Sequence, residues 1–197
     1  MKKGSSVNKK QLDCAVVEIQ EELYRAGFWN EGCRLTRTEV YWCRFPQIVA
    51  PDALGFFFHV TDRFQSLLGY ETGHMYIPKW VLLHGPWQQR GSLRDVVRHE
   101  YGHALAHYYP GLIQQGSRFR EAFGGKYLDR YFSSYWESEH VSRYATSGPA
   151  EDFSETFMFY LRSGGRLPER YSTPTIRRKW KFIRDLGRVV ASGGRRW

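Results

Sequence analysis

The sequence predicts a single-domain α+β protein, and three observations carry that reading. Four segments have helical periodicity with recognisable caps. Three short segments in the first half are aromatic and β-branched. At 197 residues, with 42% hydrophobic and 17% aromatic side chains, the chain can bury one substantial core and is not of a disordered composition.

Taken in order, residues 1–10 read as a flexible basic tail and residues 11–197 as the domain. Residues 11–26 form an amphipathic helix through Leu12, Ala15, Ile19 and Leu23, closed by Gly27. Residues 38–45, 55–61 and 74–83 read as strands. A helix follows from Ser92, a candidate N-cap with Asp95 three residues on. Leu93, Val96, Val97, Ala104 and Leu105 give it an apolar side and Pro110 stops it. Gly102 in its middle costs about 1 kcal/mol relative to alanine, which points to another element packed closely there. Between residues 111 and 143, Phe119, Phe123, Tyr127, Tyr131, Phe132, Tyr135 and Trp136 read as core rather than substrate pocket, with Gly124 and Gly125 as a hinge. A third helix is capped by Ser147 or Gly148, carries Pro149 in its first turn and ends at Gly164 and Gly165. Thr173 and Pro174 begin the last.

The chemistry centres on His99-Glu100-Tyr101-Gly102-His103, an HExxH run within the second helix. A spacing of four sets both imidazoles on one face about one turn apart, where they can share a zinc ion. Two protein nitrogens leave room for a third ligand and for water. Zinc acidifies that water, and Glu100 beside it can take the proton. The extended run HExxHxxGxxH is excluded, because Ala106 and Tyr109 stand at its further positions. His107 lies on a similar face but about 12 Å along the axis from His99, so it reads as a supporting or surface residue. His59, His84 and His140 lack motif support and read as surface or core.

In the third helix Glu151 and Glu155 are one turn apart, where a facing cation or protonated histidine would relieve their repulsion. Here the chain resembles the gluzincin metallopeptidases, among them the lethal-factor-type and related zinc metallopeptidases. The resemblance rests on HEYGHAL at 99–105, on YATSGPAEDFSETF at 144–157 and, more loosely, on an aromatic C-terminal helix. It implies a zincin-like fold with a small mixed sheet packed against the HExxH helix. It also implies one zinc per chain, held by His99, His103 and Glu151. By the same resemblance Glu155 supports the site through a hydrogen bond to a ligand histidine, and Tyr144 assists the transition state. Ser154 stands where alanine is usual, a small-for-small change. A zincin also sets an edge strand beside its zinc helix to bind extended peptide, and His74-Met75-Tyr76-Ile77 is the candidate, with plain sheet core as the alternative.

The net charge of +9 is uneven. Residues 1–10 carry four lysines and residues 166–197 ten basic against two acidic side chains, leaving 15 basic and 18 acidic between them. In the last helix Arg177, Lys181, Arg184 and Arg188 form a stripe, while Ile176, Trp180, Ile183 and Val190 form a packing face. The stripe reads as solvated surface, with a polyanion such as nucleic acid or anionic lipid as the alternative partner. Cys14, Cys33 and Cys43 form no CxxC and read as reduced, mostly packed thiols. No apolar run approaches a membrane span of about 20 residues, and no apolar stretch follows Met1-Lys2-Lys3, so a Sec signal is not expected and synthesis in the cytoplasm is. The function expected is zinc-dependent hydrolysis of a protein or peptide substrate. The competing expectation is a zinc-stabilised binding protein, against which Glu100 and Tyr144 argue, because a structural site needs neither.

Overall fold

In the computed structural model, which describes residues 8–29, 31–43, 56–57, 73–78, 92–130 and 134–197, the chain opens with α1 (Lys9–Arg25). Asn8 and Gln11 cap it reciprocally, each side chain accepting the other's backbone N–H at 2.9 Å. The helix therefore starts two residues before the predicted boundary, and Lys9 and Lys10 form its first turn rather than the end of a tail. Leu12, Ala15, Ile19 and Leu23 are buried as their spacing predicts. Cys14 lies off that stripe and is exposed, so the packed reading fails there. It holds for Cys33, whose thiol donates to the Phe28 carbonyl at 2.8 Å.

A 3-10 turn (Arg34–Arg37) leads to β1 (Val40–Cys43), followed by β2 (Phe56–Phe57) and β3 (Met75–Pro78). The remainders of the three predicted strands, together with His59, His84, Tyr131 and Phe132, lie outside the described residues. The sheet is small and mixed, as expected. Its order is β1-β3-β2, with β1 parallel and β2 antiparallel to β3. That order corrects the edge-strand expectation for residues 74–77. Met75, Tyr76 and Ile77 are buried in the strand that is central among the described residues, with Met75 and Tyr76 paired to β1 on one side and β2 on the other. The apolar content that marks a strand also suits its middle position.

Helix α2 (Leu93–Tyr108) is fixed at its start by Ser92 and Asp95, which exchange side-chain-to-backbone bonds at 3.3 Å. It packs against α1, β2 and β3, and most extensively against α4 (Pro149–Arg162). Between them lie α3 (Ser117–Phe123) and a 3-10 turn (Tyr144–Ser147). After a further turn at Glu169–Tyr171, α5 (Pro174–Ala191) completes the fold. The close approach inferred from Gly102 is the α2–α4 crossing, where a Cβ on Gly102 would stand 3.0 Å from the Cα of Ser154. A small residue at 154 is the other half of that fit.

Buried polar ties hold the helices in register. Arg98 grips Glu22 of α1 with two bonds of 2.7 Å and Asp95 at 2.6 Å, and Arg162 of α4 reaches the other Asp95 oxygen at 3.3 Å. Lys179 of α5 is buried, with its ammonium 2.6 Å from Asp152 of α4 and donating to the Glu139 carbonyl. Phe119, Phe123, Phe153 and Phe182 form an aromatic cluster among α3, α4 and α5, with Phe119–Phe153 centroids at 5.9 Å and Phe123–Phe182 at 5.6 Å. The core reading holds for Phe119, Phe123 and Tyr127, whereas Trp136 is exposed. Ile176, Trp180, Ile183 and Val190 of α5 are buried as predicted. The first and last helices meet at Gly27 and Gly187, where a Cβ on Gly187 would fall 2.5 Å from the Ala26 carbonyl oxygen. No described helix is long and apolar enough to cross a membrane.

Candidate metal centre

Helical pitch sets His99 and His103 one above the other on α2, with ring centroids 4.9 Å apart. Glu151 enters from the first turn of α4, where the helix N-terminus favours a carboxylate. That helix begins at Gly148, whose φ of +150° suits glycine, and Pro149 follows in its first turn. The three side chains converge. His99 Nε2 is 3.1 Å from His103 Nε2 and 3.2 Å from Glu151 Oε2, and His103 Nε2 is 3.5 Å from the same oxygen.

The far side of each imidazole is also held. His99 Nδ1 is 2.8 Å from Glu155 Oε1, while the other Glu155 oxygen accepts from the Ser142 hydroxyl, which itself accepts from the Ala145 N–H at 3.2 Å. An ionised carboxylate only accepts, so a His99 ring that carries a single proton holds it on Nδ1 and turns its Nε2 lone pair to the cluster. His103 Nδ1 is 2.9 Å from the Tyr127 hydroxyl. Among the described residues these three are the ones whose donor atoms could together hold a metal, all lying within 4.8 Å of one another. Glu151 Oε2 is buried and takes no hydrogen bond of good geometry, although two imidazoles face it. Two imidazole nitrogens and one carboxylate oxygen suit zinc and leave a coordination position open.

The electrostatics agree with a site built for positive charge. Burial opposes a charge on His99, but the facing carboxylates of Glu151 and Glu155 outweigh it and raise its proton affinity well above the usual imidazole range, so in the absence of a metal a second proton takes the Nε2 position. Burial likewise works against the Glu151 carboxylate, yet His103 and His99 hold it well below the usual carboxylate range. Glu100 is buried beside the cluster. Tyr144, on the 3-10 turn before α4, brings its ring centroid to 5.7 Å from that of His99 and its hydroxyl to Glu151. Burial, then Glu151, Glu100 and Glu155, push its phenol far up, so it keeps its proton.

The structure thus brings together His99, Glu100, His103, Tyr144, Glu151 and Glu155, all read from the sequence. His107 stands apart, in ring contact with Tyr108. His140 is a core residue, its Nε2 3.9 Å from Asp152 Oδ2. Ser142 and the Tyr127 hydroxyl escaped sequence reasoning. The available signal was general: a histidine that binds metal through Nε2 needs a partner for Nδ1.

Two histidines and a glutamate on crossing helices, backed by oriented partners, define a candidate zinc site of the HExxH-plus-glutamate kind. Residues 87–171, which include both helices, match the family model described as "Putative zinc-binding metallo-peptidase", and the match supports a metallopeptidase in the general sense. An uncharacterized protein of Mycobacterium bovis and one from each of two Mycobacterium tuberculosis strains are each 38% identical to the chain over 84 residues, covering 36% of this chain and 24% of theirs. The matched part of the chain thus spans about a quarter of those relatives' length. No solved structure matches.

Proposed function

We propose that the chain is a zinc-dependent peptidase of the gluzincin type, a single zincin-like domain acting as an endopeptidase on a protein or peptide substrate. The observation that carries this reading is the convergence of His99 Nε2, His103 Nε2 and Glu151 Oε2 within 3.1 to 3.5 Å, with Glu100 buried alongside. His99, His103 and Glu151 would hold one zinc ion, and Glu155 fixes the His99 tautomer. Zinc, when bound, supplies the Lewis acidity that makes water a nucleophile near neutral pH. Glu100 takes the proton of the attacking water and passes it to the leaving amine. Tyr144, kept protonated by its surroundings, donates a hydrogen bond to the developing oxyanion.

The test is metal analysis combined with an unbiased peptide-library cleavage assay. The purified protein is expected to contain about one zinc per chain. Glu100→Gln should keep that zinc and lose cleavage, because it removes the base and keeps the shape. Undiminished turnover by a zinc-replete Glu100→Gln variant would overturn the mechanism, and a wild-type protein without affinity for zinc would overturn the site.

A further inference from the structure

Of the two imidazoles in the candidate site, only His99 has a carboxylate behind it. His103 is backed by a phenol, that of Tyr127, at 2.9 Å from Nδ1. Tyr127 is 3% exposed, and its ring is lodged against Phe119 and Phe153 with centroids at 5.7 and 6.4 Å. Phenylalanine would fill the same space beside these two rings; the hydroxyl is what meets His103 Nδ1 and, on α4, the Ser154 side chain. The hydroxyl is the part that reaches the site.

We propose that Tyr127 is a positioning residue for zinc binding, its phenol oxygen accepting from His103 Nδ1–H so that Nε2 is turned, unprotonated, toward Glu151 and His99. This rests on the zinc-site reading above. A neutral imidazole carries one N–H, and a phenol can either donate or accept. Were Tyr127 to donate, the imidazole proton would move to Nε2 and block the ligand position. Only the accepting arrangement leaves three lone-pair donors facing one point. A carboxylate in place of Tyr127 would enforce the same tautomer, as Glu155 does for His99. However, Glu100, Glu151 and Glu155 already place three carboxylates around a site meant for a divalent ion, and a fourth buried one would go uncompensated. A neutral acceptor orients the second histidine without adding charge.

The backbone supports this role. Tyr127 follows the αL cap at Gly124 and sits in a turn closed by the Lys126 N–H donating to Asp129 Oδ2 at 2.7 Å. The carbonyl of Asp129 lies against Gly148, the N-cap of α4, where a Cβ would come within 3.1 Å. One short segment therefore touches His103 on one helix and the start of the Glu151 helix on the other. It bridges the two halves of the site.

The experiment compares the full-length wild type with Tyr127→Phe and His103→Ala, measuring zinc affinity by competition with a chromophoric chelator and the thermal midpoint with and without zinc. Tyr127→Phe should bind zinc roughly 10- to 100-fold more weakly, while the midpoint of the metal-free protein stays near that of the wild type. Equal zinc affinity in wild type and Tyr127→Phe would overturn the proposal. A His103→Ala variant that binds zinc as tightly as wild type would instead overturn the underlying site. A second measurement needs no variant. Long-range proton–nitrogen NMR on the zinc-loaded wild type should show the His103 proton on Nδ1, and finding Nδ1 unprotonated would refute the proposal.

Discussion

Replacing Lys179 by methionine tests how α5 is fastened to the helix that supplies Glu151. The Lys179 ammonium stands 2.6 Å from Asp152 Oδ2, and the two side chains are 4% and 5% exposed. Its removal also strips the Glu139 carbonyl of a donor. Burial on both sides leaves little solvent screening, so the loss should lie at about 3–5 kcal/mol, the range for breaking a buried pair from one side. For a chain of this size that corresponds to a fall of roughly 6–20 °C in thermal midpoint. Urea and thermal unfolding followed by circular dichroism read both. The pH dependence follows from Asp152, whose carboxyl burial pushes up to about 6 although Lys179 opposes it. The other groups facing it are the Thr156 hydroxyl at 3.4 Å, Glu155, and His140, which burial and then Lys179 hold toward the neutral form. A carboxyl raised in the folded state binds more protons there than when unfolded, so its contribution falls as pH rises from about 4 through 6. Without Lys179 it shifts higher still. The deficit of Lys179→Met should therefore be largest near pH 8 and shrink at pH 5. The double variant Lys179→Met/Asp152→Leu should recover much of the loss. A deficit under about 1 kcal/mol, or one flat between pH 5 and 8, would refute this reasoning.

Glu151→Ala should abolish tight zinc binding, while Asp152→Asn, which spares the ligand and keeps an acceptor for Lys179, should retain most of it; equal retention in metal analysis would remove Glu151 from the ligand set. Gly102→Val should force α2 and α4 apart at Ser154, costing about 1–3 kcal/mol in denaturant unfolding and weakening zinc affinity with it; unchanged stability would mean the crossing is slack. Tyr144→Phe should lower kcat by roughly ten- to a thousandfold with little change in KM, because its hydrogen bond matters in the transition state; a pure KM effect would make it a substrate-binding residue. On α5, Asp185 lies within 2.6 to 3.9 Å of Lys181, Arg188 and Arg184. Replacing Arg177, Lys181, Arg184 and Arg188 with glutamine should leave zinc content intact, and salt-sensitive binding of the wild type to nucleic acid or anionic vesicles would be needed to give the stripe a polyanion partner.

What was legible in the sequence was what local chemistry encodes. Ser92 and Asp95 announce the start of α2, and Gly148, Pro149 and the Gly164-Gly165 pair bracket α4, because caps act within a turn of their own position. The pairing of His99 with His103 was legible because helical pitch converts a spacing of four into adjacency, whereas Glu151 and Tyr144 entered through the resemblance to a known family. Strand order was not: β3 reads the same whether central or at an edge, since pairing depends on partners far along the chain. Tyr127 hid among aromatic neighbours that share its packing role. Lys179 hid in a basic helix, although its register, three past Ile176 and four before Ile183, sets it on the buried face. A cation at an apolar position was the overlooked sign of a buried carboxylate opposite.

The meeting of Gly27 with Gly187 gives the fold a temporal consequence. Backbone at the end of α1 rests on backbone of α5, so this contact cannot form on the ribosome until the about 160 residues between them, and residue 187 itself, have emerged. Closing so long a loop carries an entropic cost that nearby contacts must first offset, which favours slow, late completion. Phe153 and Asp152 of α4 also await partners on α5, Phe182 and Lys179. The helix bearing Glu151 thus reaches its final environment only once α5 has been made and has docked.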